Sequence, residues 1–181
     1  MRSSVRQTPP IRRVDHPLTQ SRFLTKGERT LASSVFGDAI DYDRVRIHNR
    51  KWWPFQGKRI TMAPDGDLWF HPGNGLFCDD FCNTPLTRQG LFIHEMMHVL
   101  QAQRGGRWYL PLMRHPFCRY DYKLRPGKPF NHYGLEQQAE IVRHAFLLRQ
   151  GMNVPGAEPA DRYRGLVPFM PDPLPLVTAS R

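Results

Sequence analysis

Residues 91–101 read LFIHEMMHVLQ, and this stretch decides the fold. Apolar residues surround His94, Glu95 and His98 on nearly every side, so the segment reads as a helix inside a core rather than one with a single apolar stripe. Four residues of α-helix advance about 400°, which stacks His94 and His98 one turn apart on one face. Two imidazoles so placed can share one cation, and HExxH is the zinc-hydrolase pattern. Glu95 is turned about 100° round the helix, where it reaches a water on the metal instead of ligating. Two histidines and a carboxylate in such a helix are costly unless paired or metal-bound. Asn83 or Thr84 offers an N-cap, Pro85 suits the first turn and Gly105-Gly106 ends the run, so the spacing predicts a helix over 85–104.

A zinc site needs a third protein ligand. The metzincin type would require glycine at position 101 and histidine at 104, and the chain has Gln101 and Arg104, so that type is excluded. A second helix is predicted from Asn131 or Gly134 to Gln150, with Gly151 as its stop. Within it, GLEQQAE (134–140) puts Glu136 and Glu140 one turn apart on one face. This is similar to the gluzincin arrangement, which assigns Glu136 to the metal and Glu140 to a position behind it, fixing the tautomer of a ligand histidine. The reverse assignment stays open. His132 is the rival third ligand and would give a three-histidine site, a type that includes basic proteases acting on DNA-bound proteins. Otherwise His132 or Tyr133 would donate a hydrogen bond to the tetrahedral intermediate, with Tyr120 and Tyr122 as further candidates. One Zn²⁺ per chain is the expected cofactor.

Outward from these helices the elements are shorter. Residues 23–37 predict a helix with Thr25 as N-cap, Glu28 at the capping-box spacing and Gly37 as its end. Strands are expected at 44–48, 60–63 and 67–71, the last two joined as a hairpin by Pro64-Asp65-Gly66. The exposed edge of 67–71 is expected to receive substrate as an added strand. Between the strands, RKWWPFQGKR (50–59) is a basic, aromatic loop with the chemistry to stack on bases or rest on lipid headgroups. The expected fold is α+β: a small, mostly antiparallel sheet packed on the HExxH helix, with the second metal-site helix completing a gluzincin-like domain over 23–154. Residues 1–22 read as a flexible basic arm. Residues 155–181, with six prolines in 27 residues, read as a proline-rich tail.

A chain of 181 residues suits one domain with a real core. It has no run of about 18 apolar residues, which excludes a helical membrane span. No apolar segment follows the N-terminal arginines, so a Sec signal is not expected. Cys78, Cys82 and Cys118 are too few for a disulfide framework and read as reduced thiols; Cys78 and Cys82 alone make only a weak half of a second zinc site. The expected location is the cytoplasm of the producing cell, with export by a signal-peptide-independent machine. The net charge is +10, and residues 44–59 hold six basic and no acidic side chains. Such a balance attracts nucleic acid, anionic lipid or acidic protein surfaces.

Taken in order, LTKGERTLASSVFGDAIDYDRVRIH, a hairpin ending in LWFHPG, LFIHEMMHVLQ, YDYKL and GLEQQAEIVRHAF resemble a family of small bacterial HExxHxxQ zinc-metallopeptidase-like domains. Proteins of this kind are related to the spike (Vgr) and Rhs elements of type VI secretion. The resemblance spans about 23–150, and HExxH, the trailing Gln101 and the downstream ExxAE are its most specific parts. It implies a gluzincin-like fold and delivery as a toxin or a delivery accessory. The expected function is hydrolysis of a protein or peptide substrate by a zinc-activated water, with Glu95 as general base. Two alternatives stand beside it: a non-catalytic zinc-binding adaptor for a secretion spike, and a nucleic-acid-associated protease. An intact Glu95 favours the enzyme, because holding a metal does not require it.

Overall fold

The computed structural model describes residues 21–106 and 120–171. In chain order these form β1 (Ser21–Phe23), α1 (Lys26–Phe36), β2 (Arg46–His48), β3 (Leu68–Trp69), α2 (Leu86–Gly105) and α3 (Leu135–Arg149). Single 3-10 turns lie at Tyr42–Arg44, Phe81–Asn83, Phe130–His132 and Ala160–Tyr163.

The helices follow their sequence signals. At α1, Thr25 accepts a hydrogen bond from the Glu28 amide while the Glu28 side chain accepts from the Thr25 amide, a complete capping box. Gly37 then ends the helix at φ +53°. α2 starts one residue later than expected, with Pro85 at the cap and no side-chain cap bond. Thr84 is not the cap, because its hydroxyl donates to the Phe81 carbonyl at 2.6 Å. α2 is buried continuously from Phe92 to Ala102. Phe92, Ile93, Met96, Val99 and Leu100 share a core with Ile141, Val142 and Phe146 of α3, each worth about 1.5–3 kcal/mol of apolar burial. Gly90 permits the close approach of the two helices: a Cβ there would lie 3.0 Å from Leu147.

The sheet differs from expectation. It has three strands in the order β1-β2-β3, antiparallel between β1 and β2 and parallel between β2 and β3, so it is mixed rather than mostly antiparallel. The register pairs Ser21 with His48 and Ile47 with Leu68. β1 takes in Ser21 and Arg22, the last two residues of the expected flexible arm, which are therefore paired in the sheet; residues 1–20 lie outside the described residues. The expected hairpin survives as a single bridge between Met62 and Trp69. β2 already holds one side of β3, and Met62 takes the other side at Trp69, so the edge expected to receive substrate is partly occupied.

A stacked aromatic series joins the end of the sheet to α2: Phe70 on Phe81 at 5.3 Å and Phe81 on Phe92 at 5.2 Å. The proline-rich segment also packs. Tyr163 and Val167 are buried and Phe169 stacks on Phe36 at 5.3 Å, so residues 160–169 close over the core instead of trailing from it. Residues 172–181 lie outside the described residues.

Candidate metal centre

α2 carries His94 and His98 on the face turned toward α3, and α3 brings Glu136 to meet them. All three are buried, with their ligand atoms within 4.8 Å of one another. The two Nε2 atoms are 3.3 Å apart, and the Glu136 Oε2 lies 3.4 Å from His94 Nε2 and 3.3 Å from His98 Nε2. Ligands at 2.0–2.1 Å around a tetrahedral Zn²⁺ would be separated by about 3.3–3.4 Å. The donor set, two nitrogens and one carboxylate oxygen, therefore fits that ion in chemistry and in spacing.

The outer nitrogens of both rings are engaged. His94 Nδ1 donates to Glu140 Oε2 at 3.0 Å. His98 Nδ1 donates to Gln101 Oε1 at 2.8 Å, and the Gln101 amide nitrogen donates to the Leu135 carbonyl and to Gln138, which fixes the amide's orientation. With a cation at the centre, a proton on each Nδ1 would leave each Nε2 lone pair facing it. Burial by itself would lower the pKa of His94. The hydrogen bonds to Glu136 and Glu140 and the charge of Glu95 outweigh it, and the pKa is pushed up to about 9.

Glu140 is itself held. Burial would raise its pKa, but hydrogen bonds from His144 and His94 and the nearby Arg143 keep the carboxyl well below the usual range. Behind it runs a chain of side chains from distant segments, with no local pattern to announce it. His144 Nε2 meets Glu140 Oε1 at 3.1 Å, Tyr122 Oη meets His144 Nδ1 at 2.6 Å, and Tyr163 Oη meets Tyr122 Oη at 2.6 Å. A neutral His144 lets each member donate one bond and accept one, from Tyr163 inward to Glu140.

Glu95 is not part of the ligand triangle but lies close enough for its charge to act on His94. It is 3% exposed, and its Oε2 has no hydrogen-bond partner among the described residues. It lines a cleft of about 500 Å³ together with His94, Tyr120, Arg59, Ile60 and Thr61. Tyr120, half exposed, lies nearly parallel to His94 with ring centroids 6.3 Å apart. A larger cavity of about 780 Å³ on another side of α2 meets this cluster only through Gln101.

The remaining site candidates lie elsewhere. His132 is exposed and outside the cluster. It falls in a 3-10 turn before α3 begins at Leu135, off the helix that carries Glu136. The Tyr133 hydroxyl accepts from the Arg125 amide at 3.1 Å, and Tyr122 is used in the chain behind Glu140. Cys78 and Cys82 are free thiols and belong to no metal-capable group among the described residues; Cys118 lies outside these residues. Burial raises the Cys78 pKa, and the hydrogen bond to Asp80 pushes Cys82 to about 11, so both favour the protonated thiol. No helix among the described residues is long and apolar enough to cross a membrane.

No family model matches the chain. Over 157 residues it is 40% identical to the type VI secretion system spike protein VgrG2b of Pseudomonas aeruginosa, a match covering 83% of this chain and 15% of that protein. The chain thus spans a small part of the spike protein's length. The solved structure of the effector domain of Pseudomonas aeruginosa VgrG2b is similar with a TM-score of 0.66 at 38% identity, covering 80% of this chain and 83% of that one.

Proposed function

The chain belongs to the family of the VgrG2b effector domain, and from that premise we propose that it is a zinc metallopeptidase of gluzincin type, delivered as a type VI secretion effector by a spike partner. The observation that carries the catalytic reading is the triangle of His94, His98 and Glu136 at tetrahedral spacing, with Glu95, whose Oε2 has no partner among the described residues, lining an open cleft beside His94.

In this reading His94, His98 and Glu136 hold one Zn²⁺. When bound, the ion supplies a lowered water pKa and a polarised scissile carbonyl. Glu95 accepts a proton on Oε2, which the protein leaves free for it, and passes that proton to the departing amine. Glu140 and Gln101 hold the two imidazoles in the ligating tautomer. Tyr120, which lines the cleft with His94 and Glu95, is the tyrosine we assign to hydrogen-bond the oxygen that gains charge.

Glu95→Gln is the decisive variant. It keeps the residue's size but cannot accept the proton. Zinc content and fold should persist while peptide hydrolysis, or toxicity on delivery, falls by about 10²–10⁴-fold. A Glu95→Gln protein as active as wild type, alongside an inert His94→Ala, would make the metal structural and the chain an adaptor.

A further inference from the structure

Residues 50–60, RKWWPFQGKRI, take little part in the metal centre, yet the loop is built with care. Gln56 at its middle is 3% exposed. Its Oε1 accepts from the Trp52 amide at 2.8 Å, and its Nε2 donates to the carbonyls of Ile60 at 2.8 Å and Trp69 at 3.3 Å. One buried amide thus ties both ends of the loop to β3. Turns from Gln56 to Trp53 and from Ile60 to Gly57 close the backbone on either side.

Large apolar side chains of the loop face outward. Phe55 is 81% exposed, Ile60 47% and Trp53 45%, so a polar residue is buried at the centre and a hydrophobic tip stands in solvent. Arg50, Lys51, Lys58 and Arg59 are exposed around this tip, and no acidic residue occurs between positions 44 and 64. Cations beside a fixed apolar tip complement two surfaces, an anionic bilayer and a single-stranded nucleic acid. The ring geometry favours the bilayer. Trp53 and Phe55 meet edge to face, 69° apart in plane, and so offer no parallel platform for successive bases. The third tip residue, Ile60, is aliphatic; it has nothing to stack with but suits the acyl boundary.

We propose that the 50–60 loop is an interfacial anchor, seating Trp53, Phe55 and Ile60 at the headgroup–acyl boundary of an anionic bilayer with Lys58 and Arg59 against the lipid phosphates. Arg59 and Ile60 also line the cleft beside Glu95, so a chain seated this way opens its cleft onto the membrane surface. The lipid binding does not rest on the peptidase reading and is measured without it.

The test is co-sedimentation of the full chain with phosphatidylcholine vesicles, with and without phosphatidylglycerol, beside a titration with a single-stranded oligonucleotide. A chain of net charge +10 is drawn to any anionic surface, so salt sensitivity decides nothing and the aromatic tip decides. Wild type should bind the phosphatidylglycerol vesicles. The double variant Trp53→Ser/Phe55→Ser, of equal charge, should bind about tenfold or more weakly with an unchanged melting temperature. Gln56→Ala, which keeps every ring and charge but releases the loop, should also weaken binding. Wild type left in the supernatant, or a double variant that sediments like wild type, would overturn the proposal. So would a double variant that loses only oligonucleotide binding, which would make the loop a nucleic-acid surface.

Discussion

Glu28 and Glu95 are both buried glutamates, 0% and 3% exposed, and the protein serves them in opposite ways. The Glu28 carboxylate accepts from both Arg22 terminal nitrogens at 2.7 Å and from the Thr25 and Phe81 amides at 2.9 Å. Arg22 also donates to the Cys78 carbonyl. These bonds fasten β1, α1 and the segment before α2 together. At Glu95 one oxygen is left without a donor, next to imidazoles that turn acceptor nitrogens inward. A buried charge whose partners come from its own chain holds a fold. A buried cluster rich in acceptors calls for a cation or a proton from outside.

Emptying the second cluster should have the largest effect. Wild type should carry one zinc per chain by elemental analysis, and His94→Ala or His98→Ala should lose it. Chelation should lower the wild-type melting temperature and not that of the variants, since a ligand at about a thousand times its Kd adds about 4 kcal/mol to the native state. Retention of full zinc by both variants would erase the contrast.

Glu28→Ala attacks the first cluster and should cost about 3–5 kcal/mol in urea unfolding, because it leaves Arg22, 16% exposed at its side chain, unpaired. The folded fraction should keep its zinc and its activity per molecule. Loss of zinc at full stability would show that the two clusters are not separate.

A smaller effect is expected at Glu140. Glu140→Ala should weaken zinc about 10–100-fold in competition with a chelator, less than Glu136→Ala does. The opposite ranking would swap their roles. Smallest is Tyr122→Phe, which removes the hydroxyl between His144 and Tyr163. It should cost about 1 kcal/mol of stability and shift zinc affinity less than Glu140→Ala. An equal shift would mean that the chain from Tyr163 sets the ligand's position.

What was legible in the sequence was local. The capping box at Thr25 and Glu28, the one-turn spacing of His94 and His98 and that of Glu136 and Glu140 are all set within four residues, where helix geometry alone places side chains. The trailing Gln101 was visible as a letter but not as a role, because its partners Leu135 and Gln138 come from another helix. His132 stays a rival ligand in the sequence, because only the fold shows that it lies in a 3-10 turn ahead of α3 and not on that helix. The strands were least legible. They are two or three residues long and pair across 20 or more positions, as Ile47 does with Leu68, so no local period records them.

By itself, then, the sequence determined three helices and the histidine and glutamate pairs that two of them present, since helical periodicity is a property of neighbours along the chain. The tertiary structure alone decided that the sheet is mixed, that Glu28 is an internal anchor, that Tyr163 backs Glu140 through two other side chains, and that Gln56 is buried while Phe55 is not. Each of these depends on which distant segment supplies the donor or the cover, and burial and hydrogen-bond satisfaction are fixed only when those segments pack.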